Sequence, residues 1–245
     1  MEEARVELDE LSGVPLFADL EPRSLAMLVR EARVEAAPAR TCLFKEGKKP
    51  EMLHVLLAGS VQLSAAFARE ARETVIEVAS APDCFILAAV LTDTPYLMSA
   101  TVLEPARLLL LPAAGFRRDI ASNPDLSLIL LASLACQSRR MVRQLKNLKL
   151  RSTVQRLGCF LLTLSKPAPD DTAVVTLPYD KQLIASQLGM TRESLSRALA
   201  VLRDFGVETR SGQVLLKDPV ALAKHCGSDA LIDEAERDLR FPKPH

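Results

Sequence analysis

The stretch TRESLSR, residues 191–197, gathers two guanidiniums, a carboxylate and three hydroxyls within two helical turns. Leu195, Ala198, Leu199 and Leu202 repeat at helical spacing, so Arg192, Glu193, Ser196 and Arg197 occupy the face opposite an apolar back. Arginine is the side chain best shaped to read guanine in a major groove, through two hydrogen bonds to O6 and N7. A glutamate can accept from the cytosine amino group. Hydroxyls of Thr191 and Ser194, with Lys181 and the helix N-terminus, suit phosphate oxygens. The plainer alternative is a solvated face with an intrahelical Glu193–Arg197 pair, worth about 0.2–0.5 kcal/mol. The frame around the stretch decides between them.

That frame is DKQLIASQLGMTRESLSRALAVLRDFG followed by VETRSGQVLLKD. The first part reads as two helices joined at Gly189, with Ile184, Ala185 and Leu188 facing inward. Small Ala185 lets the second helix cross closely, and Gly189 permits the tight turn. The second part reads as a hairpin turning at Ser211-Gly212. Helix, glycine turn, helix and two-stranded wing make a winged helix-turn-helix, and the exposed tip of its second helix is expected to meet double-stranded DNA.

Enzymatic chemistry has little to stand on. The three histidines, His54, His225 and His245, are dispersed, so a cupin-like metal enzyme, the remote alternative, lacks its ligand cluster. No nucleophile elbow or phosphate-binding glycine loop occurs. Five cysteines (Cys42, Cys84, Cys136, Cys159, Cys226) lack the paired spacing of a disulfide framework or zinc site. The 31 basic and 31 acidic residues cancel, so attraction to a polyanion must rest on local charge. The acidic start MEEARVELDE is no secretion signal, and no apolar run reaches the roughly 18 residues of a membrane span. A cytoplasmic protein with no membrane partner is expected.

The recognition helix must be held by something, and the chain offers a long helix for the purpose. Asn123-Pro124 is a start signal, with no further Pro or Gly until Gly158. Leu131, Leu134, Ser138, Met141, Leu145 and Leu148 alternate spacings of three and four, as a coiled-coil seam does. Arg139, Arg140, Arg143, Lys146 and Lys149 cover the other faces, which disfavours a buried core helix. The expected partner is a second copy, giving a homodimer. From Arg139 to Arg156 there are seven basic residues and no acid, read as a solvated face. Ser152 looks like the N-cap of a following helix that ends before Pro167, and VVTLP like a short strand.

Upstream, residues 14–34 carry apolar residues at helical spacing, with Leu20-Glu21-Pro22 as a helix start. Residues 36–113 break into short apolar runs separated by turns: TCLF, HVLLAGSVQLSAA, ETVIEVAS, FILAAV, SATVLE and ARLLLLP. This predicts an antiparallel roll, barrel or sandwich. The tail ALIDEAERDLR predicts a surface helix with no evident chemistry.

PLFADLEPRSLAMLV, LFKEG, LHVLLAGSVQL, the SATV strand, NLKLRSTVQRLGCFLLTLSK and DKQLIASQLGMTRESLSRALAVLRDFGV together resemble the CRP/FNR transcription regulators, from about Leu16 to Asp218. The resemblance implies an α+β fold: an N-terminal antiparallel β-roll of the cyclic-nucleotide-binding type, a long dimerisation helix and a C-terminal winged helix-turn-helix. The implied parts are an effector domain over 1–122, the dimer helix over 123–151, the DNA-binding domain over 152–225 and a tail over 226–245. It also implies half-sites containing TGA, read by Glu193 and Arg197, with Arg192 and Ser196 matching contacts of two different branches, and RNA polymerase as a further partner.

The same resemblance shows what the sensor lacks. Cyclic-nucleotide members hold their ligand with Gly-Glu and Arg-Ser pairs and with hydroxyls of the dimer helix. Here Leu87-Ala88, Met98-Ser99 and Met141-Val142 stand at those places. A cyclic phosphate without its arginine would be an unpaired anion in an apolar hole, so cyclic nucleotide is not expected. Nor is an iron–sulfur cluster, because no cysteine precedes Cys42. What remains is an apolar effector pocket lined by Leu87, Ala88, Met98, Ser99, Met141 and Val142, which would suit haem. TDTPYLMSATV and KLRSTVQRLGCFLLTLSKPAP are similar to the nitric-oxide-responsive denitrification branch (DNR/NnrR type), where haem is the proposed sensor. His54 is the candidate metal ligand, with Cys84 and Met98 as other conceivable ones; a packed histidine is the alternative. A constitutive DNA-binding dimer with an empty pocket is the rival within the fold.

Overall fold

The computed structural model describes residues 11–18, 20–66, 73–210 and 213–233. The acidic start, the Ser211-Gly212 turn and the tail from residue 234, His245 included, lie outside these residues. Two compact units divide between Gln137 and Ser138, inside the long helix.

In the first unit, Pro22 opens helix α1 (Pro22–Val29), and by Arg33 the chain is already extended as β1 (Arg33–Ala37). The helical reading to residue 34 is thus too long by a turn. Strands β2 (Cys42–Phe44), β3 (Met52–Ala66), β4 (Glu73–Ser80), β5 (Asp83–Phe85) and β6 (Ser99–Pro112) complete an antiparallel sheet in the order β1-β6-β3-β4. β2 pairs with β6, and β5 with β3.

β3 and β6 pair from Met52 opposite Pro112 to Ser64 opposite Ser99, with register shifts between Leu56 and Val61. These shifts reset the alternation of side chains. Leu53 and Val55 enter one apolar cluster with Phe17, Phe116 and Leu126, whereas Leu56, Val61 and Leu63 all enter a second cluster with Phe85 and Val102. An uninterrupted strand would put Val61 and Leu63 on the same face as Leu53 and Val55; the irregularity changes the face. Gly59 sits there at φ +86°, and a Cβ on it would lie 2.4 Å from the Pro105 carbonyl oxygen, so no other residue fits.

Two sequence expectations change here. FILAAV is not a strand: β5 stops at Phe85, Ile86 turns left-handed (φ 61°), and Leu87–Thr92 forms helix α2. Short apolar runs carry no period that separates strand from helix. SATVLE and ARLLLLP are one strand, β6, continuing through Pro105 where the pairing is irregular anyway.

Helix α3 (Ala113–Ser122) leads to α4 (Pro124–Leu150), 27 residues long, with the Asn123 side chain accepting from the Leu126 amide at 3.2 Å. Leu126 and Leu130 are buried in the first cluster. Among the described residues no helix is long and apolar enough to cross a membrane.

The second unit holds the C-terminal part of α4 together with α5 (Thr153–Leu164), β7 (Lys166–Pro167), β8 (Ala173–Thr176), α6 (Lys181–Gln187), α7 (Arg192–Leu202), β9 (Val207–Arg210), β10 (Gln213–Leu216), α8 (Pro219–Cys226) and α9 (Ala230–Asp233). Ser152 caps α5 in a reciprocal box with Gln155, as its position promised. The small sheet runs β7-β8-β10-β9, with Gln213 opposite Arg210 at the hairpin end.

Candidate nucleic-acid interface

The second unit assembles the helix-turn-helix as its sequence requires. Asp180 caps α6 by accepting from the Leu183 amide at 2.8 Å. Ile184, Ala185 and Leu188 are buried in one core with Leu195, Ala198 and Leu202 of α7. Gly189 makes the turn at φ +61°. Thr191 then caps α7, its hydroxyl oxygen accepting from the Ser194 amide at 3.1 Å.

With its back in the core, α7 leaves Thr191, Arg192, Glu193, Ser196 and Arg197 exposed, while Ser194 is half-buried. The polar groups are ordered among themselves. Arg197 Nη2 donates to Ser194 Oγ at 3.3 Å, and Thr191 Oγ1 to the same oxygen at 3.1 Å. Ser196 Oγ donates to the Arg192 carbonyl at 3.1 Å. Lys181 stands exposed at the first position of α6. All seven sequence-derived positions thus lie on α6, α7 or the cap between them, and none faces the core. Such a tip offers guanidinium and carboxylate groups to base edges and amide N–H groups to phosphate.

Two arginines of the basic strip behave otherwise. Arg151 and Arg156 are buried, not solvated as expected. Arg156 donates from Nη1 to the Leu148 carbonyl at 3.2 Å and from Nη2 to the Gly189 carbonyl at 3.3 Å. Burial lowers its pKa. Arg151 forks onto both carboxylate oxygens of Asp233, at 2.5 and 2.7 Å. That hydrogen bonding raises the Arg151 pKa. Burial pushes the Asp233 carboxyl up, but the Arg151 fork, the Asp229 amide and the Ser228 hydroxyl hold it below the usual range. The tail residue Asp233 therefore has chemistry that the sequence reading denied it. Nothing in local spacing announces a partner 82 residues away.

On α4, Met141, Leu145 and Leu148 are exposed, as are Leu131 and Ser138; Leu134 is half-buried. Leu134 packs against the first unit's own core, so it is not free for a seam alone.

The expected effector residues scatter. Leu87 is fully buried in the cluster with Phe116 and Leu126, because α2 lies on α3, whereas Met98 packs on the second cluster inside the sheet. Ala88 is exposed. Ser99 Oγ accepts from the Glu46 amide at 3.0 Å. Met141 and Val142 are exposed on the part of α4 that belongs to the second unit. His54 is packed between Phe44 and Phe85, with ring centroids at 5.1 and 5.9 Å. Burial lowers its pKa to about 4, against a backbone hydrogen bond to Met52, so the ring is neutral at pH 7. Cys84 is a buried thiol in the other cluster, its pKa raised by that burial and by Asp83. A protonated, enclosed thiol is a poor redox sensor.

Residues 155–225 match the Crp-like helix-turn-helix domain, and residues 34–123 the cyclic nucleotide-binding domain. The chain is 26% identical over 222 residues to a CRP-like cAMP-activated global transcriptional regulator of Mycobacterium tuberculosis, covering 89% of this chain and 99% of that one. It is 27% identical over 198 residues to the global nitrogen regulator of Synechocystis sp., covering 78% and 87%. Among solved structures, a Ruegeria pomeroyi protein named as a candidate cyclic nucleotide binding protein is 30% identical with a TM-score of 0.59, covering 91% of this chain and 98% of that one. DNR from Pseudomonas aeruginosa is 26% identical with a TM-score of 0.50, covering 91% and 99%. The two matched domains, in this order around a long helix, and full-length relatives that regulate transcription lead to one conclusion: the chain belongs to the CRP/FNR family of DNA-binding transcription regulators.

Proposed function

We propose that this regulator works as a homodimer on a palindromic site with TGA-like half-sites, α7 entering the major groove of each half. The observation that carries the reading is the division of α7 into a core-packed back and an exposed tip bearing Arg192, Glu193, Ser196 and Arg197. Paired recognition helices must stand about 34 Å apart to enter successive major grooves. The apolar residues exposed on α4, Met141, Leu145 and Leu148, are the surface on which a second copy would set that distance. RNA polymerase is the expected further partner and the cytoplasm the expected compartment, both from family membership. Selection from a randomised duplex library tests the reading: inverted repeats with a G·C pair in each half should be enriched. Enrichment of no repeat, or of unpaired sites only, would overturn it.

The effector we infer is not a cyclic nucleotide, although a relative is named as cAMP-activated. Leu87-Ala88 and Met98-Ser99 offer no cation for a phosphate, and Leu87 is enclosed in apolar contacts. Haem fits the donor types better. His54 presents a neutral imidazole beside Phe44 and Phe85, and Met98 a thioether on the same cluster. One ring nitrogen of His54 is engaged by the Met52 backbone, which would leave the other to hold the iron. Bound haem would supply an iron able to take nitric oxide. Haem titration followed by absorbance tests this: a Soret band at one haem per protomer, lost in His54→Ala, is expected. A featureless titration sinks haem and favours the effector-free dimer.

A further inference from the structure

The junction between α4 and α5 is a single residue, Arg151, followed by the cap Ser152. A junction this short could hinge. Here it is fastened on two sides. On one side Arg151, 8% exposed, forks onto Asp233, donates from Nη2 to the Gly227 carbonyl at 3.0 Å and from Nη1 to Asn147 Oδ1 at 3.2 Å. The same segment is held one and two turns back along α4. Arg143 Nε donates to the Leu231 carbonyl at 3.2 Å, and Lys146 lies 4.0 Å from Asp229. Residues 227–233 therefore form a strap laid along the last turns of α4. On the other side Arg156 joins the Leu148 carbonyl to the Gly189 carbonyl, tying α4 to the turn that precedes α7.

The pair is unlike surface ion pairs of this chain. The Arg151 and Asp233 side chains are 5% and 15% exposed, against 57% and 50% for Arg33 and Glu35. Burying two charges carries a desolvation penalty that mutual attraction roughly cancels, so such a pair is a poor source of net stability. What a planar fork does supply is a fixed geometry. The strap also lies beyond residues 155–225, the span matched by the helix-turn-helix model, so the module itself does not account for it.

We propose that Arg151 and Asp233 are positioning residues for DNA recognition: through the strap they lock the α4–α5 junction, so that the angle between α4 and α7 is set before DNA arrives. The inference rests on the reading of α7 as the groove-entering helix of a homodimer. A locked junction makes the dimer intolerant of half-site spacing, because each added base pair moves and rotates one half-site relative to the other. A loosened junction would follow such a change at a cost in affinity for the best site, having lost its preorganisation.

The test uses the palindrome selected by the full chain and two further duplexes with one base pair removed from or added to its spacer. Asp233→Asn removes the charge; Asp233→Glu keeps it. Wild type should prefer the selected spacing strongly. Asp233→Asn should bind that duplex about tenfold more weakly while losing little on the altered spacers, so the preference collapses. Random-duplex affinity and dimer mass should stay unchanged, and Asp233→Glu should recover part of the preference. If Asp233→Asn does not fold, Arg151→Met with Asp233→Leu replaces the pair by apolar groups, a change folds often tolerate, and is read on the same duplexes. A folded variant that keeps the wild-type spacing preference overturns the proposal, as does failure of both variants to fold, which makes the pair a folding requirement. If wild type selects no palindrome, the α7 reading falls and the strap's role with it. Wild-type preference with unaltered variants sinks the strap alone.

Discussion

Arg156 Nη2 and the carbonyl oxygen of Gly189 meet at 3.3 Å, across the point where the helix-turn-helix reverses direction. The contact fastens the turn from outside, while φ +61° at Gly189 shapes it from inside. An arginine buried for this purpose gives the recognition helix a fixed root.

Gly189→Ala should therefore be harmful out of proportion to one methyl group. A left-handed conformation costs an L-residue about 1–2 kcal/mol. The added Cβ would lie 2.7 Å from Leu148 Cδ2, the far end of a half-exposed side chain that can swing aside, so the backbone strain dominates. Urea unfolding should show a loss of that size, with weakened binding to the selected duplex. Wild-type stability in the variant would contradict the turn's assigned role.

Arg197→Ala separates base reading from general attraction. The side chain is exposed and its neighbour Ser194 is local, so folding should not suffer. Discrimination between the selected duplex and a random one should shrink by about 1–3 kcal/mol. Equal losses on both duplexes would reassign Arg197 to the phosphate backbone.

The α4 surface gives a prediction on assembly. Met141 is 62% exposed and Leu145 51%, a poor arrangement for a solitary helix. Met141→Glu or Leu145→Glu should halve the mass seen in sedimentation while leaving helical content intact. Dimers that survive both changes would move the interface elsewhere.

His54 makes the protein sensitive to mild acid. Its pKa falls from 6.5 to about 4 on folding, because burial disfavours the imidazolium. As pH drops from 6.5 toward 4 the unfolded chain takes up the proton first, so stability present above pH 6.5 is lost through that window. The loss from this one group approaches about 3 kcal/mol. His54→Phe should flatten unfolding free energy against pH in that interval. A variant with the wild-type slope would assign the acid sensitivity to other groups.

Local patterns make much of the second unit legible. The cap at Ser152, the glycine at 189 and the apolar stripe through Leu195 and Leu202 are each decided by residues close by in the chain, whereas Thr191, read only as a phosphate contact, also caps α7. The roll is legible as strands in antiparallel order but not in which face each residue takes. The register shifts near Gly59 invert that alternation, and no short window of sequence reveals them. Leu87 is misplaced for a related reason: an apolar run serves equally as strand or helix, and only packing against α3 decides. Arg151 and Arg156 stay hidden because a buried guanidinium is recognised by its partners. One partner is an aspartate far along the chain, and the others are main-chain carbonyls with no identity in the sequence.

The strap has a consequence for the chain's birth on the ribosome. Domains fold as units, N-terminal ones first, as synthesis proceeds. The apolar clusters of the first unit draw on residues up to Leu134 and so are available by the time α4 emerges, yet Arg151 must wait for Asp233, 82 residues later, before its carboxylate arrives. A nascent regulator is thus able to build its first unit well before it can brace its reading head.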